Sequence, residues 1–394
     1  LIEVVPSEDA LPVESVHAIL DLGESGEVSL RPTRQVGDTI RIEYQPLVRS
    51  KGAALLLGVV AVLWFTEGIS LVATSILIPI LIVLLGIQGP KTGLAAFFDP
   101  AVALILGGFL IGRALSKYDL DKRVALLILS KGAGSGDRLI LTVMAASAFL
   151  SMWISNTASA AIMIPIALAV IHRIRTEEVR TKYGKALVLG VAYSATLGGV
   201  ATLVGSPPNP LAASYLSSFI GVQFSFVNWL PFGVPVVLIM LPIVWQWLMF
   251  RFKVPKNFEE IRTLKEVSRR EYERLGPITR NQKMVVLIFG AVVALWFTER
   301  VPDILAGLIG WNGHGIPSSI VALGGGLALL VAGLLDESDV SHEIGWSSLL
   351  ILGSGIALGG AMIDTGLSTH IAHQLSALSV LPVSYTHLTL PTKA

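Results

Sequence analysis

Cysteine is absent from the 394 residues, and charge is scarce, with Asp, Glu, Lys and Arg making up 14% of the chain. Without a thiol there is no disulfide framework and no thiolate metal site. A soluble domain carries about a quarter of its residues as charges, so a water-solvated shell does not account for this composition. The net charge is +1 and no basic run is interleaved with aromatics, which argues against a nucleic-acid partner. What is present is apolar: 53% of residues are hydrophobic and the mean hydropathy is +0.71. Lipid is the solvent that suits such a chain, and membrane lipid is its first expected partner.

Apolar stretches recur at 51–66, 69–87, 100–118, 186–204, 230–250, 284–298, 316–335 and 345–362. About 20 residues suffice to cross a hydrocarbon core. No alternating barrel pattern appears, and backbone in lipid must satisfy its own polar groups, so these stretches are predicted to be helices. The expected fold class is an all-α polytopic protein of the cell membrane. Residues 1–48 differ in kind: Thr39-Ile40-Arg41-Ile42-Glu43-Tyr44 alternates as a half-buried strand does, which predicts a small β-rich soluble segment.

Short cytoplasmic loops collect Lys and Arg. Of the 29 such residues, five fall in 117–138, five in 173–185 and ten in 251–283. If all three loops face the cytoplasm, the apolar segment between the first two cannot cross once. Residues 138–171 are therefore predicted to enter and leave by the same face, as a re-entrant hairpin turning at Ser155-Asn156-Thr157. A duplication supports this reading. LWFTE at 63–67 returns at 295–299, and LILGGFLIG from Leu104 is echoed by LILGSGIALGG from Leu350. With a re-entrant hairpin the two copies run in opposite senses, giving an inverted repeat: a first repeat over 51–250, a basic cytoplasmic linker over 251–283, and a second repeat over 284–380. Inverted repeats with broken helices are the build of many secondary transporters.

Polar residues at mid-membrane are costly and tend to line a cavity or bind an ion. Ser151, Ser155, Asn156 and Thr157 meet that description; the plainer reading of Ser155 or Asn156 is a helix cap. A helix beginning there offers N–H groups to an anion, and the unwound carbonyls suit a hard cation. Facing it in the chain is GGVATLVGSPPNP from Gly198, where Pro207, Pro208 and Pro210 stop any helix. Its plainer reading is a kinked linker. Its bare carbonyls near Gly205, with Thr202, Ser206 and Asn209, add neutral oxygens. No Asp, Glu, Lys or Arg lies in either stretch, which favours sodium over proton coupling. Arg113 is expected to snorkel to the interface, and Glu67 and Glu299 are expected to be interfacial. His342, Glu343, His370 and His373 lack any metal-site context, and no nucleophile, base and orienting group can be assembled, so no enzyme is expected.

Together, SNTASAAIMIP from Ser155, GGVATLVGSPPNP, the repeated LWFTE and LILGSGIALGGAMIDTGL resemble the divalent anion to sodium symporters over roughly 51–380. That resemblance implies a homodimer that carries di- or tricarboxylates such as succinate, or sulfate, with Na+ by an elevator-like motion. It implies that Ser151, Ser155 and Asn156, with the Gly205 carbonyl, form a sodium site, to which Thr202 is added here. It also implies that Asn156 and Thr157 touch the substrate; Ser206, Pro207 and Asn209 on the facing stretch complete the expected contacts. Arsenite carriers and sodium/proton antiporters share the architecture, and a membrane sensor derived from a transporter is the alternative of another class. A second hairpin is expected just past residue 394, where 383–394 reads as a non-native tail. The chain begins without methionine. It is therefore read as a fragment, expected to be incompetent for transport by itself.

Overall fold

A computed structural model describes residues 29–36, 39–45, 47–131, 135–172, 174–220, 224–254, 269–300, 307 and 310–377. The expected tail at 383–394, the whole segment before Ser29 and the middle of the basic linker lie outside the described residues. Two compact units are present: residues 1–98 with 353–394, and residues 99–352.

In the first unit, strands β1 (Ser29–Val36) and β2 (Thr39–Gln45) pair antiparallel, Leu30 opposite Tyr44. Helix α1 (Leu47–Thr66) ends at LWFT and is followed by Glu67 in the left-handed region, φ 50°. Helix α2 (Leu71–Leu84) is capped by the Ser70 hydroxyl, and the short α3 (Pro90–Ala95) follows. Ala53, Leu56 and Val60 of α1 and Ile78 and Ile82 of α2 share a core with Ala357, Leu358, Ala361 and Leu367.

The second unit contains α4 (Pro100–Lys117), α5 (Leu120–Lys131), α6 (Gly136–Ser151), α7 (Asn156–Ile171), α8 (Glu177–Val200), α9 (Pro208–Ile220), α10 (Phe226–Phe252), α11 (Arg280–Thr298), α12 (Ser318–Val331) and the seven-residue α13 (Glu337–Glu343). Helix α14 (Trp346–Asp364) begins in this unit and ends in the other, and α15 (Leu367–Ala377) closes the described chain. Among the described residues, four helices are long and apolar enough to cross a membrane, and four shorter ones are apolar. Helix α10 displays Leu238, Ile239, Ile243 and Phe250 on its outside. In water those side chains would be a liability; against acyl chains they are the expected surface.

Small residues allow the close helix packing that lipid-embedded proteins use in place of a hydrophobic driving force. A Cβ on Gly107 of α4 would lie 2.4 Å from the Ala322 carbonyl carbon of α12, and one on Gly326 would lie 2.5 Å from Leu110 Cδ1. One end of this unit is knitted together by the basic loops. Arg123 donates to the carbonyls of Leu275 and Gly276, at 3.0 Å each, and Gln282 donates to the Tyr118 carbonyl at 2.8 Å.

Candidate functional site

Helices α6 and α7 are two arms of a hairpin separated by the turn Met152–Ser155. The arms are antiparallel and in register. Ser159 Oγ donates to the Ser147 carbonyl at 2.8 Å, four residues below the point where Ser151 Oγ meets Asn156 Oδ1 at 2.7 Å. Ser155 is the N-cap of α7, its hydroxyl accepting from Ala158 N at 3.2 Å. The cap expected from the sequence is thus real, and it leaves the first N–H groups of α7 at the tip.

Helix α8 supports the hairpin along its length. Near the start of α8, Tyr183 Oη donates to the Gly136 carbonyl at 3.1 Å, at the hairpin's open end. Higher up, Gly190, Ser194 and Gly198 form one face. A Cβ on Gly190 would press on Met144 at 3.1 Å, and one on Gly198 would lie 2.1 Å from the Ala148 carbonyl oxygen. At the top, α8 ends at Val200 and the chain unwinds through Ala201–Pro207.

There the two interruptions meet. A Cβ on Gly205 would lie 2.7 Å from the Gly199 carbonyl oxygen and 2.8 Å from that of Ser151, and one on Gly199 would lie 2.2 Å from Asn156 Oδ1. Thr202 Oγ1 donates to the Met152 carbonyl at 2.5 Å and accepts from Gly205 N at 3.1 Å, stitching strip to tip. Ser151 carries one hydroxyl hydrogen, yet lies 2.7 Å from Asn156 Oδ1 and 2.6 Å from the Ala195 carbonyl oxygen. Two acceptors share that single hydrogen, leaving surplus lone pairs in a fully buried place. A hard cation satisfies such a set, and neutral oxygens at an unwound helix are its usual ligands in carriers. No group of three or more His, Cys, Asp or Glu able to hold a metal occurs among the described residues.

The expected residues divide here. Ser151, Asn156, Thr202 and Gly205 converge at the joint. Ser155 and Thr157 face an adjoining cavity of about 360 Å³, also lined by Trp153, Val204, Arg113 and Glu343. Asn209 is buried and holds the strip in shape: its Nδ2 donates to the carbonyls of Gly199 at 2.7 Å and Thr202 at 2.6 Å. Both its amide hydrogens are thereby engaged. Ser206 and Pro207 are half-buried and do not line that cavity.

Two charged residues sit differently from expectation. Arg113 does not simply snorkel. Its Nε donates to Asp339 Oδ1 at 2.9 Å, its Nη1 lies 3.3 Å from Glu343 Oε2, and it lines the cavity of Ser155 and Thr157. Glu299 is buried at 9% exposure and accepts from the Ser318 hydroxyl, which itself accepts from Phe226 N at 3.2 Å. Its repeat partner Glu67 is exposed. The Gly190-Ser194-Gly198 face is a further element that the reading of motifs missed; small residues at i, i+4 and i+8 were the available signal.

Apolar helices that expose large side chains around a polar joint of two broken helices define a multi-pass transporter of the cell membrane. Comparison with known proteins agrees. Residues 61–390 match the family described as Citrate transporter, and the chain belongs to that family. It is 33% identical over 339 residues to an uncharacterized transporter of Haemophilus influenzae, covering 85% of this chain and 69% of that protein. It is 31% identical over 344 residues to the sodium-dependent dicarboxylate transporter SdcS of Staphylococcus saprophyticus, covering 81% of this chain and 63% of the relative. Against SdcS of Staphylococcus aureus the figures are 30% over 342 residues, 81% and 64%. The chain thus spans a little under two thirds of the length of the two staphylococcal proteins. The family and the relatives accord with the divalent anion to sodium symporters that the motifs resemble, and they mark the chain as a transporter, not an enzyme.

Proposed function

We propose that the whole protein is a sodium-coupled secondary transporter of small divalent anions, dicarboxylates or sulfate. The observation that carries this reading is the buried joint of neutral oxygens where Ser151 and Asn156 of the hairpin meet Gly199 at the end of α8 and Gly205 of the unwound strip. Sodium sits among Ser151, Asn156, the Gly205 backbone and Thr202, with Ser155 at the edge. The substrate carboxylate lies against Asn156, Thr157 and the first N–H groups of α7, where the helix dipole and the bound cation both favour negative charge. The printed names of the staphylococcal relatives support sodium and a dicarboxylate.

The hairpin is re-entrant in this reading. Each arm has 16 residues, or about 24 Å at about 1.5 Å per residue, short of the roughly 30 Å of a hydrocarbon core. Its open end lies beside Tyr183, within the basic segment 173–185 that leads into α8, and beside Trp245, whose indole donates to the Asp137 carbonyl. Shared sidedness of the loops 117–138 and 251–283 is supported by the Arg123 and Gln282 bonds. The repeats are then inverted, and the hairpin with α8, α9 and α10 moves as a transport body in an elevator-type cycle, within a homodimer.

The test is uptake of labelled succinate, citrate or sulfate by the full-length protein in liposomes, with sodium or choline outside. Uptake that requires sodium is expected. Sodium-independent uptake, flux that follows a pH gradient in place of sodium, or binding without flux would each contradict the reading.

A further inference from the structure

The joint that holds the tip is uncharged, but the cavity beside it is not. Running from Ser155 and Thr157 along α4, this cavity is bordered by two charged side chains, Arg113 and Glu343. Gly112 packs on the tip backbone: a Cβ there would lie 3.6 Å from the Trp153 carbonyl oxygen. Arg113 follows at once, and Lys117 lies one turn further, toward the end where the basic loops meet. The guanidinium therefore stands between the tip and that end.

Its two partners are unequal. Asp339 has a side chain 5% exposed, and Arg113 Nε donates to it at 2.9 Å; it also holds Lys117 and accepts from Asp336 N in the capping box that opens α13. These bonds commit it, and it fixes the orientation of the guanidinium. Glu343 is 51% exposed and lies at 3.3 Å from Nη1, longer than a good charge-assisted hydrogen bond. It is the partner that can be exchanged.

We propose that Arg113 is an anion relay: a divalent anion moving between the hairpin tip and the basic end of the protein displaces Glu343 and is bound in transit by the guanidinium. Planar bidentate donors suit a carboxylate or sulfate, and a second negative charge gains from Arg113 what a monoanion held at the tip does not. Glu343 keeps the cavity electrically balanced between substrates. This rests on the reading of the tip as the anion site.

The test is sodium-driven succinate uptake by the full-length protein in liposomes, with Arg113→Gln, Glu343→Gln and the double variant. Arg113→Gln is expected to raise the KM for succinate about tenfold, the scale of one charged hydrogen-bonded contact, and to raise that for a monocarboxylate competitor less. Glu343→Gln is expected to lower the succinate KM about threefold, and that gain should vanish in the double variant. A merely structural ion pair would send both single variants in the same direction. An Arg113→Gln KM within twofold of wild type, or a raised KM in Glu343→Gln, overturns the relay; should Arg113→Gln fail to fold, Glu343→Gln decides alone. Wild-type protein that moves neither succinate, citrate nor sulfate sinks the transport reading together with the relay, whereas active wild type with an indifferent Arg113 sinks the relay only.

Discussion

Between α6 and α7 the chain turns in four residues, Met152–Ser155, that include neither glycine nor proline. Between α8 and α9 it comes undone through Ala201–Pro207, past Gly198 and Gly199 in the last turn of α8 and through Gly205. Pro207 and Pro208 keep α8 from running on, whereas Pro208 and Pro210, expected to stop any helix, sit in the first turn of α9, where a proline is tolerated. The first interruption largely secures itself, because Ser155 caps α7 and Ser151 meets Asn156 within the same hairpin. The second is held from outside: Trp229 donates to the Val200 carbonyl, Asn209 to those of Gly199 and Thr202, and Thr202 reaches the tip at Met152. The joint pairs a self-capped polar turn with a bare strip whose carbonyls are positioned by others. The strip should therefore be the more fragile half, and the tip the more specific one.

Gly198→Ala is the harshest way to break the pairing, since the new methyl would meet the backbone of Ala148. It should destabilise the protein by about 3 kcal/mol and abolish uptake, read by thermal unfolding in detergent and by flux. Asn156→Ala strikes the self-secured half. Uptake should fall at least about tenfold while stability drops by only about 1 kcal/mol, so a large loss of stability there would contradict the comparison. Asn209→Ala strikes the brace of the strip. Losing two hydrogen bonds should cost about 2 kcal/mol, with a smaller, roughly threefold, loss of flux; a transport defect as deep as that of Asn156→Ala would move Asn209 into the anion site itself.

The weakest expected effect concerns Asp339. Burial opposes its ionisation, but the hydrogen bonds from Lys117, the Asp336–Asp339 cap and Arg113 outweigh it and hold its carboxyl at about 2. A value below the ordinary carboxylate range means that its stabilisation is complete above that range and is lost as pH falls through about 2. The stability difference between wild type and Asp339→Asn should thus stay constant between about pH 5 and pH 8. A difference that changes inside that window would show the pairing to be weaker than the geometry implies.

Much of this was legible in residue order. Spans showed themselves because lipid tolerates few charges, and the two interruptions because hydroxyls, an amide and three prolines stand out in apolar runs. Pairings over long separations did not show. Arg113 and Asp339 lie 226 residues apart, and neither position carries a local pattern that names the other. Glu299 and Glu67 end identical strings, yet only Glu299 is buried, with the Ser318 hydroxyl donating to it. A shared string leaves its surroundings unstated. Asn209 illustrates the same limit: an amide beside prolines reads equally as ligand or as brace until its two acceptors are seen.

The most direct measurement is the sodium concentration that half-saturates succinate uptake in Ser151→Ala against wild type. Removing the hydroxyl that sits between Asn156 and the Ala195 carbonyl should raise that concentration about tenfold or more, with flux recovering as sodium is increased. An unchanged sodium dependence in a folded Ser151→Ala protein would show that the cation binds elsewhere than where tip and strip meet.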